Sequence, residues 1–452
     1  MNLQKIYECA ARAPNLNIPD PNFAVEMIVD EIRKRQNLLF DSRKAVLKCN
    51  THYMRISDDE CEAFIRAILT PEMQVAVSSS QIKEVIHRLR FLPQLQIDLQ
   101  SEFYKAQLYV NLSNGVYDIQ NQELVYNRDE FKFDYCLNFE YVARSKLDNA
   151  PAFKRYVESS LGLEQLDCLL QVLGYCVSSL TQGREAFVFY GRGRTGKSTI
   201  LNVLEAVIDA GLVSHEPFHT MSTERSKAHY HGMRVNISRE TSYKPNKNEE
   251  GFKSLISNEI TTGSEKYEKQ RDFAATLSFV FAGNTDLEFG VTDDAILDRL
   301  VYLMFLKEIP EENIDLELEA KLLKEKNVIF SLALDSLKGL IRNKYRFKMS
   351  DAAEKHLLHR RYMIHSPESF LSEKCRLSEN SRVSKVTLFI AYCAFCEANA
   401  LKAEGRNRFY DRVRNYKTTI TDGRVPDRNG NSVQGFHGIA LESSDLDVAS
   451  GD

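Results

Sequence analysis

The sequence predicts an α/β protein with a parallel sheet at its centre and mainly helical regions before and after it. Four short apolar segments recur in the middle of the chain, separated by helix-like or turn segments; they are Ala186–Tyr190, Met233–Ser238, Thr276–Ala282 and Arg299–Phe305. Strands that alternate with helices form parallel sheets covered by helices on both faces. The first segment also runs directly into a glycine-rich loop, which a helix-like stretch ending at Gly211 follows.

The glycine-rich loop has the complete pattern of a phosphate-binding loop. Residues 191–198 read Gly-Arg-Gly-Arg-Thr-Gly-Lys-Ser, which fits G-x-x-x-x-G-K-[ST]. Backbone N–H groups of such a loop surround a phosphate, while its lysine binds the β- and γ-phosphates and its serine ligates Mg²⁺. An incidental lysine in a glycine-rich turn is the alternative, and the strand–loop–helix context disfavours it. The residues predicted to bind ATP and Mg²⁺ are Gly191, Gly193, Arg194, Thr195, Gly196, Lys197, Ser198 and Thr199.

Composition and net charge indicate the class of protein. A chain of 452 residues with 43% hydrophobic and 27% charged residues is typical of a soluble globular protein with several domains. The net charge of −4 means that any contact with nucleic acid depends on local basic patches. No apolar segment is long enough to span a membrane, and Met1–Lys5 starts no secretory pattern, so we expect a cytoplasmic protein without a membrane partner.

Cysteine usage agrees with a reducing compartment. The nine cysteines are scattered, which is typical of free thiols. Cys393 and Cys396 form one close pair, but they lie in an apolar, helix-like segment without a second pair. Buried core thiols are therefore favoured there over a metal or redox site.

Changes in periodicity divide the chain into six segments. Residues 1–105 are predicted to be mostly helical, with amphipathic patterns at 28–39 and at 80–92, where Ser80 is the expected N-cap. Asn114-Gly115 between β-prone runs predicts a hairpin at the start of 106–180, followed by a helical collar. The other segments are the sheet region 181–310, an all-helical segment 311–365, a segment 366–441 with two helices, a basic stretch and a closing strand, and an acidic tail 442–452 expected to be disordered.

Three polar residues follow the loop in an informative order. Glu240 comes after the second apolar segment, where a carboxylate can polarise the attacking water or hold Mg²⁺ through a water molecule. Asn284 ends the third segment and can contact the γ-phosphate, while Arg299 precedes the fourth and can act as an arginine finger on a neighbouring subunit. The alternatives are a solvated glutamate, a common Gly-Asn-Thr turn, and an ion pair between Arg299 and Asp298 or a nearby acid.

This order of motifs, within about 110 residues, resembles the superfamily 3 helicases of the AAA+ class. More narrowly it is similar to the primase-helicases of poxviruses, satellite phages and staphylococcal mobile islands. Residues 111–118 resemble the Asn-Gly-x-Tyr-Asp hairpin that precedes the helicase core in those proteins, and the resemblance covers residues 105–441. It implies an AAA+ core over 181–310, a helical lid over 311–365 and a winged-helix-like domain over 366–441.

The resemblance also implies the catalytic residues. The family's loop lysine, strand-end acid, sensor and finger correspond to Lys197, Glu240, Asn284 and Arg299. Thr195 stands where the family usually has asparagine. The acid motif has one carboxylate rather than the tandem pair of some members, so direct ligation of Mg²⁺ by the protein is an open question.

Two segments are candidates for DNA contact. The resemblance implies a pore hairpin that holds single-stranded DNA through the backbone charge and stacking face of Lys266, Tyr267, Lys269 and Arg271. From Leu401 to Arg428 there are eight Lys or Arg and four Asp or Glu, and Arg408, Arg412 and Lys417 are expected on one helix face that binds an origin duplex. The alternatives are a mixed-charge surface turn and a solvated basic helix.

The hypothesis that follows is an ATP-dependent, ring-forming DNA helicase in the replication of a mobile or viral element. It predicts a homo-hexamer with single-stranded DNA in its pore. Residues 1–105 show no paired-carboxylate pattern for priming, so priming by this chain alone is not expected, and a primase or host replication proteins are possible partners. A sequence-specific origin-binding initiator, whose ATPase acts as an assembly switch, is the main alternative. A small-molecule kinase is a weaker alternative, because it leaves the terminal domains unexplained.

Overall fold

The computed structural model describes residues 3–12, 15–126, 130–239, 244–263, 271–289, 293–399, 401, 403–426 and 430–442. Contacts divide the chain into two units. The first consists of Met1–Gly290 with Arg299–Ser350, and the second of Val291–Asp298 with Asp351–Asp452. The short segment that precedes Arg299 therefore belongs to a different unit from Arg299 itself.

The amino-terminal region of the first unit combines helices with a four-stranded sheet. Its elements are α1 (Leu3–Ala10), α2 (Ala24–Arg35), β1 (Leu38–Asp41), β2 (Lys44–Lys48), β3 (Tyr53–Ile56), α3 (Asp58–Ala67), α4 (Pro71–Ala76), α5 (Ser79–Leu89), β4 (Gln96–Ile97) and α6 (Leu99–Lys105). The strand order is β3-β2-β1-β4, with β1 antiparallel to β2 and parallel to β4. The prediction of a mostly helical region omits this sheet.

Two predicted helices in this region have different boundaries. The pattern over 28–39 was predicted as one helix, but α2 ends before Gln36, which adopts a left-handed conformation with a φ of 51° and caps the helix. Leu38 and Leu39 then belong to β1. The second predicted helix corresponds to α5, which takes Ser78 rather than Ser80 as its N-cap.

The predicted hairpin is confirmed and continues into a third strand. Its strands are β5 (Tyr109–Leu112), β6 (Gly115–Asp118) and β7 (Glu123–Val125), all antiparallel. The hydroxyl groups of Tyr117 and Tyr141 both donate to Oδ1 of Asp335, at 2.7 and 3.0 Å. Asp118 accepts from the backbone N–H of Gln120 at 2.8 Å. Tyr117 therefore anchors the hairpin to a later helix, and Asp118 closes the turn that follows β6.

The central region contains the predicted parallel sheet. In chain order its elements are α7 (Pro151–Tyr156), a π-helical turn (Val157–Leu161), α8 (Leu166–Val177), β8 (Ala186–Tyr190), α9 (Lys197–Val207), β9 (Val213–Ser214), α10 (Glu224–His229), β10 (Val235–Ser238), α11 (Glu249–Ile256), β11 (Ile260–Gly263), β12 (Arg271–Ala274), β13 (Ser278–Gly283), α12 (Asp294–Leu297) and β14 (Leu300–Met304). The strand order β14-β8-β13-β10-β9 is parallel throughout. The α/β class and the four predicted strands are confirmed, and β9 is an additional short edge strand.

Buried apolar side chains hold the sheet in the core: Val188 of β8 is buried on one face, and its neighbours Phe187 and Phe189 are buried on the other. Phe187 and Phe189 of β8 are fully buried, and they belong to the same hydrophobic cluster as Leu204 of α9 and Leu173 of α8. The helices α13 (Leu318–Lys324) and α14 (Lys326–Arg342) follow the sheet, and Leu337 of α14 joins this cluster. The predicted all-helical segment 311–365 is helical, but it crosses the boundary between the two units after Ser350.

The second unit consists of helices on a three-stranded antiparallel sheet. Besides α12 it contains α15 (Asp351–Ile364), α16 (Ser366–Lys374), β15 (Cys375–Ser384), α17 (Lys385–Ala398), α18 (Arg406–Tyr416), β16 (Thr421–Pro426) and β17 (Ser432–Leu441), with the strand order β15-β17-β16. The stacked rings of Tyr392 and Phe409 lie at its centre, with 4.3 Å between their centroids. The predicted acidic tail lies outside the described residues from position 443 onward.

Two further sequence predictions concern this unit and the chain as a whole. Cys393 and Cys396 both lie on α17, where Cys396 is buried and Cys393 is half-buried. Within the described ranges, no three His, Cys, Asp or Glu side chains are grouped so that they could hold a metal ion. None of the described helices combines the length and apolarity required to span a membrane.

Candidate functional site

The sheet brings the glycine-rich loop and Asn284 to the same edge. β8 lies between β14 and β13, and all three strands end at this edge because they are parallel. The N–H of Gly191 donates to the carbonyl of Gly283 at 3.1 Å, so that Asn284, which is exposed, follows directly beside the start of the loop. The carboxyl ends of parallel strands are where ligands bind in open α/β sheets.

Glu240, the predicted strand-end acid, lies outside the described residues. β10, which it follows in the chain, pairs with β13 up to Ser238. Arg239, the last described residue there, donates to Asn202 of α9 at 2.5 Å and pairs with Glu205 at 2.7 Å. The chain thus leaves β10 at the edge that carries the loop.

Two glycines of the loop are required by their surroundings. Gly191 approaches the chain after β14 so closely that an added Cβ would lie 2.0 Å from the carbonyl oxygen of Phe305. Gly196 has a φ of +89°, which favours glycine, and a Cβ there would lie 2.8 Å from Oγ of Ser160. The hydroxyl of Tyr156 also donates to the carbonyl of Gly196 at 3.0 Å. The π-helical turn and the residue before it therefore shape the loop.

The lysine of the loop points back into it. Nζ of Lys197 donates to the carbonyls of Gly191 at 2.6 Å and Arg192 at 2.5 Å, and to Oγ1 of Thr195 at 3.1 Å. Burial lowers the pKa of Lys197. Oγ1 of Thr195 in turn donates to the carbonyl of Arg192 at 2.9 Å, and this side chain is 1% exposed. Thr195 therefore stabilises the loop conformation through hydrogen bonds within the loop.

The remaining loop residues are arranged around the start of α9. Gly193, Arg194 and Ser198 are exposed, and Thr199 is half-buried. Ser198 is the second residue of α9, so its hydroxyl lies in the first helical turn, where backbone N–H groups are free to bind an anion. This is the arrangement that a phosphate with an associated cation requires.

A cavity of about 710 Å³ lies beside the loop. Its walls come from residues 152–159 on one side and 308–318 on the other, and Arg194, Gly196 and Thr199 contribute from the loop. The lining combines apolar side chains, such as Ile309 and Leu318, with polar ones, such as Ser159. Its size and mixed lining are typical of pockets that hold small organic ligands. The sequence analysis found none of the wall residues, because no motif marks them.

The segment after β14 is tied to the loop. The N–H of Ile309 donates to the carbonyl of Arg194 at 3.3 Å. Arg194 pairs with Glu311, and Arg192 pairs with Glu308, each at 3.4 Å. All four side chains are highly exposed, so these ion pairs contribute little stability. The arginines are therefore able to exchange their carboxylate partners for another anion.

Arg299 lies at the other end of the strands from the glycine-rich loop, beside the amino-terminal ends of β8 and β14. The N–H of Ala186, which opens β8, donates to the carbonyl of Arg299 at 2.7 Å, whereas the loop follows the other end of that strand. Five residues of strand, about 16 Å, separate the two edges. The Arg299 side chain donates to Oγ of Ser257 at 3.2 Å. The structure does not bring Arg299 together with Lys197 of the same chain.

Asp298, which the sequence suggests as an ion-pair partner of Arg299, pairs with a different arginine. Asp298 and Asp294 of α12 both pair with Arg361 of α15, and Asp294 also contacts Nε2 of His365 at 2.7 Å. These contacts fasten the short helix α12 to α15 within the second unit. The residues that precede Arg299 are thus held by side chains about 60 positions later in the chain.

Glu185, which the sequence analysis did not single out, lies near Arg299. Burial raises the pKa of Glu185 to about 8, while the charge of Arg299 acts in the opposite direction. Oε2 of this side chain is buried and has no hydrogen-bond partner among the described residues. An uncompensated buried carboxylate is costly when ionised, so Glu185 favours the protonated form.

We expect Glu185→Gln to flatten the pH dependence of the free energy of unfolding. The folded carboxyl binds its proton more tightly than the unfolded one, so wild-type stability falls as the pH rises from about 4.5 to about 8. The slope that the variant loses is at most about 1.4 kcal/mol per pH unit, the value for one proton. Urea unfolding at a series of pH values measures it. The exposed Glu312→Gln is the matched control, and parallel curves for wild type and Glu185→Gln would contradict the assignment.

The first candidate DNA segment is described only at its base. β11 and β12 pair in antiparallel fashion from Ile260–Ala274 to Gly263–Arg271. Lys266, Tyr267 and Lys269 lie outside the described residues, and the side chain of Arg271 is also not described. The described part of this segment is therefore the antiparallel pair of strands β11 and β12.

The second candidate segment differs in part from its prediction. Arg408 and Arg412 lie on α18 and are exposed, but Lys417 follows the end of the helix, so the three residues do not share one helix face. Arg412 pairs with Glu368 at 3.1 Å and with Glu404 at 3.7 Å. Its charge is thus partly neutralised within the second unit.

Comparisons with known proteins match two parts of the sequence and the fold. Residues 25–162 match a family described as "D5 N terminal like", and residues 189–299 match a family of unknown function (DUF5906). No curated protein sequence matches the chain.

Solved structures of the NrS-1 C-terminal region are similar over most of the chain. An apo structure of NrS-1 residues 305–718 has 11% sequence identity and a TM-score of 0.54, and the match covers 94% of this chain and 100% of that one. An A-form apo structure of the same region has 10% identity and a TM-score of 0.50, with 91% and 98% covered. The chain is therefore similar to the D5 N-terminal-like family over residues 25–162, and it shares its fold with the NrS-1 C-terminal region.

Proposed function

We propose that this protein is an ATP-dependent, ring-forming DNA helicase that unwinds DNA in the replication of a mobile or viral element. One observation carries the proposal: a complete phosphate-binding loop follows β8, an inner strand of the parallel sheet, with Asn284 and a cavity beside it. The D5 N-terminal-like region ahead of the loop and the fold shared with the NrS-1 C-terminal region support a replication protein of the primase-helicase type.

In this proposal the triphosphate lies on the loop and the nucleoside in the adjoining cavity. Lys197 leaves the loop carbonyls and binds the β- and γ-phosphates, while backbone N–H groups of the loop surround the β-phosphate. Ser198, together with Glu240 through a water molecule, would hold Mg²⁺, which neutralises charge on the phosphates. Glu240 polarises the attacking water, and Asn284 contacts the γ-phosphate.

The position of Arg299 supports a site shared between subunits. Because this side chain lies at the sheet edge opposite its own loop, it can act as a finger only on the nucleotide of a neighbouring subunit. A head-to-tail interface of this kind forms a ring when its rotation closes and a filament when it does not. We propose the ring, as a homo-hexamer with an AAA+ core over residues 181–310. In such a ring, Lys266, Tyr267, Lys269 and Arg271 would contact single-stranded DNA in the pore.

The second unit is proposed to bind the origin duplex. Its order of β15, α17, α18 and the β16–β17 hairpin is consistent with a winged-helix-like domain. Arg408 and Arg412 are exposed on α18, and Lys417 is exposed directly after the helix ends. Arg412 must exchange Glu368 and Glu404 for a phosphate, so we expect this contact to be weakened by salt. A separate primase or host replication proteins remain proposed partners.

A strand-displacement assay on a forked DNA substrate tests the proposal. We expect ATP with Mg²⁺ to release the labelled strand, and a non-hydrolysable analogue to support DNA binding without release. Hydrolysis and duplex binding without strand release would favour the alternative, an origin-binding initiator whose ATPase is an assembly switch. Absence of any DNA-dependent ATP hydrolysis would contradict both functions.

A further inference from the structure

Two cysteines distant in sequence meet in the amino-terminal region. Cys9 lies in the last turn of α1 and Cys49 directly follows β2, and their sulfur atoms are 3.2 Å apart. Both side chains are half-buried rather than enclosed in the core. The two cysteines are 40 positions apart in the sequence, so their spacing does not indicate that they form a pair.

The surroundings make the two sulfurs chemically different. The hydrogen bond between Cys9 and Cys49, together with the nearby charges of Arg12 and Lys5, lowers the pKa of Cys9 to about 7. The same hydrogen bond and burial raise the pKa of Cys49. A substantial fraction of Cys9, about half at pH 7, is therefore thiolate, and thiolates are the reactive form of cysteine.

We propose that Cys9 and Cys49 are an oxidative modification site that forms a reversible disulfide with hydrogen peroxide as the oxidant. The Cys9 thiolate attacks one peroxide oxygen, the O–O bond breaks, and the leaving hydroxide takes a proton to become water. The Cys49 sulfur then attacks the sulfenic acid on Cys9, the S–O bond breaks, and a second water leaves with the Cys49 proton. The peroxide gains two electrons, and the two thiols lose them.

The local geometry permits this bond with a small movement. A disulfide requires about 2.05 Å between the sulfurs, which is about 1.1 Å less than the present separation. Cys49 belongs to a tight turn in which its N–H donates to the carbonyl of His52 at 2.8 Å, so the approach depends mainly on α1. This helix ends at Ala10, one residue after Cys9.

The disulfide would also fix α1, which contacts the region that follows α9. Lys5 of α1 pairs with Asp209 at 2.6 Å, and Asp209 follows α9, the helix that begins with the loop lysine. A cavity of about 440 Å³ between these regions is lined by Lys5, His52 and Asp209. We therefore expect oxidation to raise the melting temperature by a few degrees, as closure of a long loop does.

Peptide mapping of the full-length protein tests the site. Reduced protein is treated with a small excess of hydrogen peroxide and digested without reductant. We expect one cross-linked peptide pair that contains Cys9 and Cys49, a loss of two hydrogens in intact mass, and complete reversal by dithiothreitol. Two free thiols after treatment, or a cross-link between other cysteines, would overturn the proposal.

Single variants test the order of the two steps. In Cys49→Ser the sulfenic acid on Cys9 has no resolving thiol, so we expect dimedone to label Cys9. In Cys9→Ser we expect no label on Cys49. The matched control is Cys393→Ser, which removes a half-buried thiol from another pair and should leave the Cys9–Cys49 cross-link unchanged. Equal labelling of Cys9 and Cys49 in the two variants would refute the assigned roles. None of these readouts depends on ATP hydrolysis or DNA unwinding.

Discussion

We expect Lys197→Ala to reduce ATP turnover by at least about 100-fold, the usual effect of removing one charge-stabilising donor from an active site. Nζ of Lys197 bonds only to atoms of its own loop among the contacts described, so its loss removes no support from the rest of the fold. The charge that it places on the phosphates is lost both in the bound state and in the transition state. Strand displacement on forked DNA should disappear together with ATP hydrolysis.

The measurement is steady-state phosphate release at saturating ATP and DNA. Lys83→Ala is the matched control, because Lys83 is an exposed lysine of α5 far from the loop in the chain. The melting temperature of both variants should stay close to that of the wild type. Turnover by Lys197→Ala within a few-fold of wild type would show that the loop is not the hydrolytic site.

The features that the sequence predicted well are those that a local pattern determines. The strand β8 is fully apolar, because it is covered on both faces, and it runs into a loop in which Gly191 and Gly196 leave no space for a side chain. Asn114-Gly115 likewise predicts the hairpin, although the turn residues in the structure are Ser113 and Asn114, and Gly115 already begins β6. The bounds of β8 in the structure are those that the sequence predicts.

The features that the sequence missed depend on contacts between distant residues. β4 has two residues, Gln96 and Ile97, and exists only because it pairs with β1. The approach of Cys9 to Cys49 likewise needs α1 to lie against the turn after β2. Neither feature has a periodicity of its own. Leu38 and Leu39 show the same limit, since two apolar residues after a helix fit a continued helix as well as a new strand.

The candidate site also has some features that a local sequence pattern predicts and others that depend on contacts between distant residues. Gly191 and Lys197 were identified from their spacing alone, whereas the cavity walls at 152–159 and 308–318 were not. These walls come from segments about 150 positions apart that carry no motif, and they become one surface only after both pack beside the loop. Tyr156 shows this, because its hydroxyl supports Gly196 from 40 positions away.

We expect Arg299→Ala to lower ATP turnover by about 1,000-fold or more, the range measured for arginine fingers, while nucleotide binding stays nearly unchanged. The two effects separate because Arg299 lies at the sheet edge opposite its own loop and takes no part in binding the nucleotide of the same chain. Fluorescent-nucleotide titration measures the binding, and phosphate release measures the turnover. Arg342→Ala, which removes an exposed arginine of α14, is the matched control.

Mixing two inactive variants decides whether the finger acts on a neighbouring subunit. In a ring that contains both Lys197→Ala and Arg299→Ala protomers, some interfaces combine an intact loop from one protomer with an intact Arg299 from the next. At equal mixing about one quarter of the interfaces are complete in this sense, so turnover should return to a measurable fraction of wild type. If Arg299 acted within its own chain, every site in the mixture would still lack one of the two residues. Failure of the mixture to recover any activity, when both variants assemble as the wild type does, would therefore contradict a shared site and with it the proposed ring.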